Sequence, residues 1–229
     1  MSTIVFEICK KELLVRFGSK SSNVYLLFTL AIPIAIFLPQ TAQMFTTNSK
    51  EFPEIKIIFF LIIPIMVSNL IGISTFINEI RWKTIKTLLV APIEMNDIFI
   101  GKSLACIMLG IVTDLLLSFY LVLIGININV SILMLFFIIE PLIVVLSTFL
   151  LIIVTLKYPG LAENGGSLYF SMGGLMVVFL ILFTIKIIIN APQFIIDIIY
   201  SIIIGILVFL TFYYAKKNFN KEQITLSWK

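Results

Sequence analysis

Residues 131–156 read SILMLFFIIEPLIVVLSTFLLIIVTL, and Glu140 is the only charged residue among them. At a rise of about 1.5 Å per residue, a helix of this length exceeds the roughly 30 Å hydrocarbon core of a bilayer. It therefore tilts or begins outside that core. The run is rich in Ile, Val and Phe, which favour strands in water. In lipid, however, each backbone polar group must be satisfied within its own segment, so a continuous apolar block of this kind is a helix. A membrane barrel would show short alternating segments instead.

Comparable blocks flank this one at 24–44, 57–77, 98–125, 168–189 and 198–215. Over 229 residues the chain is 60% hydrophobic and 12% charged, with a mean hydropathy of +1.15. Soluble globular chains run near 25% charged, so a soluble domain is excluded. The expected fold is all-α: a polytopic integral membrane protein with six transmembrane helices. The chain divides into a basic N-terminal segment (1–23), one six-helix transmembrane domain (24–215) and a basic tail (216–229).

Orientation follows from the basic residues. Lys10, Lys11, Arg16, Lys20, Arg81, Lys83, Lys86, Lys102, Lys157, Lys216, Lys217, Lys221 and Lys229 fall on one side, thirteen of the sixteen. Only Lys50, Lys56 and Lys186 fall on the other. The positive-inside rule then places both termini in the cytoplasm of a multi-pass protein of the cell membrane. The first 20 residues mix apolar with charged positions, unlike a cleavable signal peptide. Cys9 and Cys106 lie in a cytoplasmic segment and a span, so no disulfide is expected.

Val5, Cys9, Leu13 and Phe17 recur at four-residue steps and suggest an interfacial helix over 3–18, although Glu12 and Arg16 interrupt its apolar face. The outer connections are short. The stretch 186–197 is unusually apolar and either extends its neighbouring spans or folds back into the membrane. Ser68, Asn69, Ser74, Ser171, Gly173 and Gly174 are small or weakly polar residues of the kind that let membrane helices approach closely.

The richest connection is 78–103, NEIRWKTIKTLLVAPIEMNDIFIGKS. Ile85, Leu88 and Leu89 share helical spacing, and Arg81, Lys83 and Lys86 supply a basic edge. Pro92 ends or kinks this short helix, and Asn96 or Asp97 offers a cap for the third span. The spacing predicts an amphipathic cytoplasmic helix between spans 2 and 3, lying on the membrane surface. Gly101-Lys102-Ser103 has the look of the end of a phosphate-binding loop, but that loop needs a glycine at position 96, which is Asn. The chain itself is expected to bind no ATP, and Lys102 is expected to reach the headgroups.

This connection resembles the signature of type-2 ABC transporter permeases, also called type V exporters. Glu79, Thr84, Leu88, Leu89, Pro92, Gly101 and Lys102 match the family pattern in order and spacing, while Lys83, Lys86 and Glu94 depart from it. The resemblance implies a permease that dimerises with itself or a similar chain and carries a separate ABC ATPase on its cytoplasmic face. ATP and Mg would then belong to that partner. It further implies that 78–97, with Glu79, Arg81, Lys83, Thr84, Leu88, Leu89 and Pro92, transmits the nucleotide cycle. Gly101 and Lys102 would mark the foot of span 3.

Two acids lie within spans, Asp114 and Glu140, and Pro141 follows the second. A carboxylate at mid-bilayer costs roughly 2.5–3.5 kcal/mol on insertion scales, so it faces a cavity or a partner. Both the substrate route or dimer seam and a protonated acid bonded to a neighbouring helix remain open. These acids also support the alternative function, an ion-coupled carrier or channel. An intramembrane enzyme is disfavoured by the absence of His, of an acidic pair at short spacing and of a nucleophile motif. No metal site and no nucleic-acid partner are expected; lipid is.

Overall fold

The computed structural model describes residues 3–18, 62–72, 74–75, 93–123, 130–158, 160–161, 164–189 and 191–218. Among them every regular element is helical. In chain order they are α1 (Thr3–Gly18), α2 (Ile62–Gly72), α3 (Met95–Leu123), α4 (Val130–Lys157), α5 (Gly166–Ile188) and α6 (Gln193–Asn218). Helices α3 to α6 are long and apolar enough to cross a membrane, and the chain is a helical, multi-pass membrane protein. The first predicted span, 24–44, lies outside the described residues, as do parts of the second and both segments that flank it.

Helix α4 covers the long apolar run at 131–156 and extends one residue beyond it at each end. It is also the centre of the packing, in contact with α3, α5 and α6. Its hydrophobic window is 67% buried, against 17% for α5 and α6. The two outer helices therefore turn large apolar side chains outward, among them Phe170, Leu180 and Phe209. Such a surface is stable in hydrocarbon and not in water.

Pro141 leaves its mark on α4. Proline has no N–H to offer the carbonyl four residues back, and its ring crowds the preceding turn. The helix answers with a π turn over Leu135–Ile139, closed by the Glu140 N–H on the Leu135 oxygen. Regular α geometry resumes at Glu140.

The helix directions follow from close contacts at glycines. A Cβ on Gly110 of α3 would lie 2.6 Å from Val144 Cγ1 of α4, 3.0 Å from Ser68 Cβ and 3.4 Å from Pro64 O of α2. A Cβ on Gly72 would lie 2.7 Å from Leu151 Cδ2. Positions 64 and 72 of α2 thus advance along α4 in the same sense, while α3 runs antiparallel to both. The 186–197 stretch extends the spans rather than folding back: α5 continues to Ile188 and α6 begins at Gln193. Helix α6 starts five residues before the predicted 198, because Asp197 is buried rather than exposed in a loop. It accepts hydrogen bonds from Ser131 Oγ and, at 3.0 Å, from Gln193 Nε2.

Candidate functional site

Helix α3 carries two sites, one at its foot and one at its middle. At the foot it is clasped by α1. Val5 and Cys9 are buried as the four-residue spacing predicts. Gly101 lets the two backbones approach, since a Cβ there would stand 2.8 Å from Ile8 Cβ and Cγ2 and 3.1 Å from Val5 O. Lys102 Nζ donates to Glu12 Oε1 at 2.6 Å, with exposures of 2% for the lysine and 17% for the glutamate.

The expectation that Lys102 reaches the headgroups is therefore corrected. Its ammonium is enclosed because α1 lies over it and supplies a counter-charge. Glu12, which interrupts the apolar stripe of α1 in the sequence, is the residue that makes the joint. An open cleft of about 670 Å³ runs beside it, lined in part by Glu7, Lys11 and Ile93. Burial pushes the Cys9 thiol above its ordinary range, and the nearby Glu12 carboxylate adds to the shift.

The joint is backed by an apolar cluster of Ile98, Phe99, Phe149, Ile152, Ile153, Leu156 and Ala215, against which Ile8 packs. Tilted ring contacts run from Phe99 to Phe149 at 5.5 Å and on to Phe212 at 5.9 Å. Ile8 of α1 thus touches a cluster built from α3, α4 and α6. The predicted cap of α3 shifts by a turn's edge: the helix begins at Met95, and Glu94 O accepts the N–H groups of Asp97 and Ile98. Asn96 and Asp97 thus lie in the first turn.

At mid-helix the structure brings Asp114 and Glu140 together. Both are fully buried, at 1% and 0% exposure, and each stands one turn from the Gly110–Val144 approach of the antiparallel α3 and α4, on the same side of it. Asp114 Oδ1 accepts a long hydrogen bond from Ser118 Oγ at 3.5 Å. Asp114 Oδ2 and both Glu140 oxygens receive no donor from the described residues. The sequence offers no acidic pair at short spacing, and this pair escapes such a search because its members lie 26 positions apart. The signal that could reveal it is the short connection between spans 3 and 4, which sets both acids at similar depth from the same turn.

Of the small and weakly polar residues, Ser68, Asn69 and Ser171 pack between helices, whereas Gly173 faces open space and makes no close approach. Ser68 Oγ lies 2.7 Å from Thr148 Oγ1 and 3.2 Å from the Cys106 carbonyl it donates to. Asn69 accepts from Ser147 Oγ at 3.3 Å and donates to Ser171 Oγ at 3.4 Å, joining α2 to α4 and α5. Among the described residues no group of three or more His, Cys, Asp or Glu is placed to hold a metal. Glu79, Arg81, Lys83, Thr84, Leu88, Leu89 and Pro92 lie outside the described residues. No family model, no curated protein and no solved structure matches the chain.

Proposed function

We propose that this chain is the permease subunit of an ATP-driven ABC exporter. It crosses the cell membrane six times with both termini in the cytoplasm, and pairs with itself or a similar permease. A separate ATPase binds ATP and Mg and drives it through 78–97.

The observation that carries this reading is the α1–α3 joint. Gly101 and Lys102 belong to the residues through which the sequence resembles the type-2 permeases. In the structure these two form the contact with α1, Gly101 by close approach and Lys102 by its ion pair with Glu12. A terminal helix fixed to the foot of a span is a lever. Force applied to it from the cytoplasm reaches α3, and the aromatic cluster passes it on to α4 and α6.

The test is co-purification of the chain with an ABC ATPase, followed by transport in proteoliposomes. A complex whose ATP hydrolysis drives export is the expected result. A stable, active assembly indifferent to any such ATPase, with transport following ion gradients, overturns the reading.

A further inference from the structure

Asp114 and Glu140 are enclosed between two contacts of the same helices. On one side the cluster of Ile63, Leu117 and Phe136 seals α2, α3 and α4 together. On the other, Gly110 brings α3 against Val144 and Ser68. Each acid stands four residues, about one turn, from this glycine contact. With antiparallel helices, that alone places the two carboxyl groups opposite each other.

Among the described residues, the groups packed around the pair supply no cation. The described part of α2 contributes Ser68 and Asn69 and no titratable group. On α3 the nearest base is Lys102, twelve residues away and paired with Glu12. Lys157 ends α4 and donates to Tyr214, and Lys186 stands at the far end of α5. From α6, Asp197 accepts from Ser131 and Gln193, and Tyr200 donates to the Leu182 carbonyl.

Two ionised carboxylates in this setting would repel each other, with no counter-charge and one long bond from Ser118 among the described residues. As carboxylates neither can donate, so contact between them needs a proton. The burial of the two acids selects the same occupant. At 0–1% exposure neither acid offers surface to a water-sized probe, so a hydrated ion or an organic cation does not fit, whereas a proton does.

We propose that Asp114 and Glu140 form a buried proton-binding site in which the two carboxyl groups share one exchangeable proton. In the singly protonated pair, one carboxylic acid donates its O–H to the carboxylate of the other, and the pair carries one negative charge. Uptake of one more proton from water gives two neutral acids; its release restores the charged pair. Both steps need water to reach the pair, so they need α3 and α4 to part. The π turn directly before Glu140 offers α4 a place to rearrange without breaking the rest of its ladder.

The site is testable without transport, and so independently of the exporter reading. Infrared difference spectra of the purified full chain, with side-chain carboxyls labelled with ¹³C, are recorded across a pH titration. The expected result is a protonated-carboxyl band that shifts with the label, is altered in position or in its pH dependence in each of Asp114→Asn and Glu140→Gln, and is lost in the double variant. At fixed pH it is unmoved by sodium or potassium. Wild-type protein alone is decisive if a variant fails to fold: absence of any labelled protonated-carboxyl band overturns the proposal. Survival of the unaltered band in both variants overturns it too, as does its displacement by sodium at constant pH, which assigns the pair to a metal cation.

Discussion

The foot and the middle of α3 bury charge in opposite ways. Lys102 and Asp114 stand twelve residues, about 18 Å, apart on one helix, and both are almost fully enclosed. At the foot the enclosed charge has an opposite partner at 2.6 Å. At the middle it faces a second acid whose oxygens receive no donor from the described residues. An isolated charge in a medium of low dielectric is unstable, and a protein has two remedies: supply a counter-ion or neutralise the group. The foot uses the first and is built as a fixed joint. The middle is left to the second, and a group neutralised by a proton can exchange it.

The largest effect is expected where the counter-ion is removed. Glu12→Gln removes the carboxylate bonded to the enclosed Lys102, at a cost of about 3 kcal/mol, the low end for breaking a buried pair because Glu12 is 17% exposed. The double variant Glu12→Gln with Lys102→Met loses much less, because no charge is then left enclosed. A double-mutant cycle read by unfolding midpoints in SDS gives the coupling. The raised Cys9 thiol supplies a second readout. With its proton held more tightly it offers little thiolate at neutral pH, so maleimide labelling is slow in the wild type and accelerates when α1 lifts from α3. Single variants no worse than the double would show that the ion pair does not hold the joint.

Close approach at Gly101 is the next target. Gly101→Val forces a side chain into Ile8 and the Val5 carbonyl, and a loss of about 1–3 kcal/mol is expected. Gly173→Ala, where a Cβ meets nothing within 4 Å, is the control and should not be destabilised by a clash. The same SDS midpoints compare them. Equal midpoints in the two variants would mean that α1 is free to move away from the foot.

Where the sequence is legible, a polar boundary makes it so. The apolar run at 131–156 is closed by Lys157, and the helix ends there. Helix α6 is longer than its sequence suggests because Asp197 has the chemistry of a loop residue, and Ser131, 66 positions away, joins Gln193 in making its burial possible. Lys102 defies the sequence for a similar reason: its partner comes from α1. The meeting of Asp114 with Glu140 depends on how α3 and α4 are rotated about their axes. Those helices are apolar nearly all round, so their sequences favour no particular face. The 78–97 segment lies outside the described residues apart from its last few positions, and its role rests on the sequence alone.

Between foot and middle the helices are held by weaker ties. Asn69→Ala removes two long interhelical hydrogen bonds, at 3.3 and 3.4 Å. Bonds of this kind in membrane proteins average about 0.6 kcal/mol each, so a loss near 1 kcal/mol is expected. A cycle with Ser147→Ala isolates the α2–α4 part. A loss as large as that of Glu12→Gln would make Asn69 a third buried pillar of the fold and blur the contrast between the two ends.

The smallest effect on stability is expected at the acids themselves. Asp114→Asn and Glu140→Gln keep the shape of each side chain and remove the ionisable proton. They also supply amide donors where the described residues offer none to three of the four carboxyl oxygens. Each variant should unfold within about 1 kcal/mol of the wild type, since an amide of the same shape replaces the shared proton's hydrogen bond with its own donor. The SDS midpoints that register the foot variants are the measurement. A loss of several kcal/mol in either variant would place the acid pair in the same class as the Lys102–Glu12 joint, as a structural tie. Near-neutral variants with an altered protonated-carboxyl band would separate the two regions: a foot whose charges hold the helices together, and a middle whose charges can be changed without loosening them. Only the second arrangement leaves a proton free to come and go while the fold stays intact.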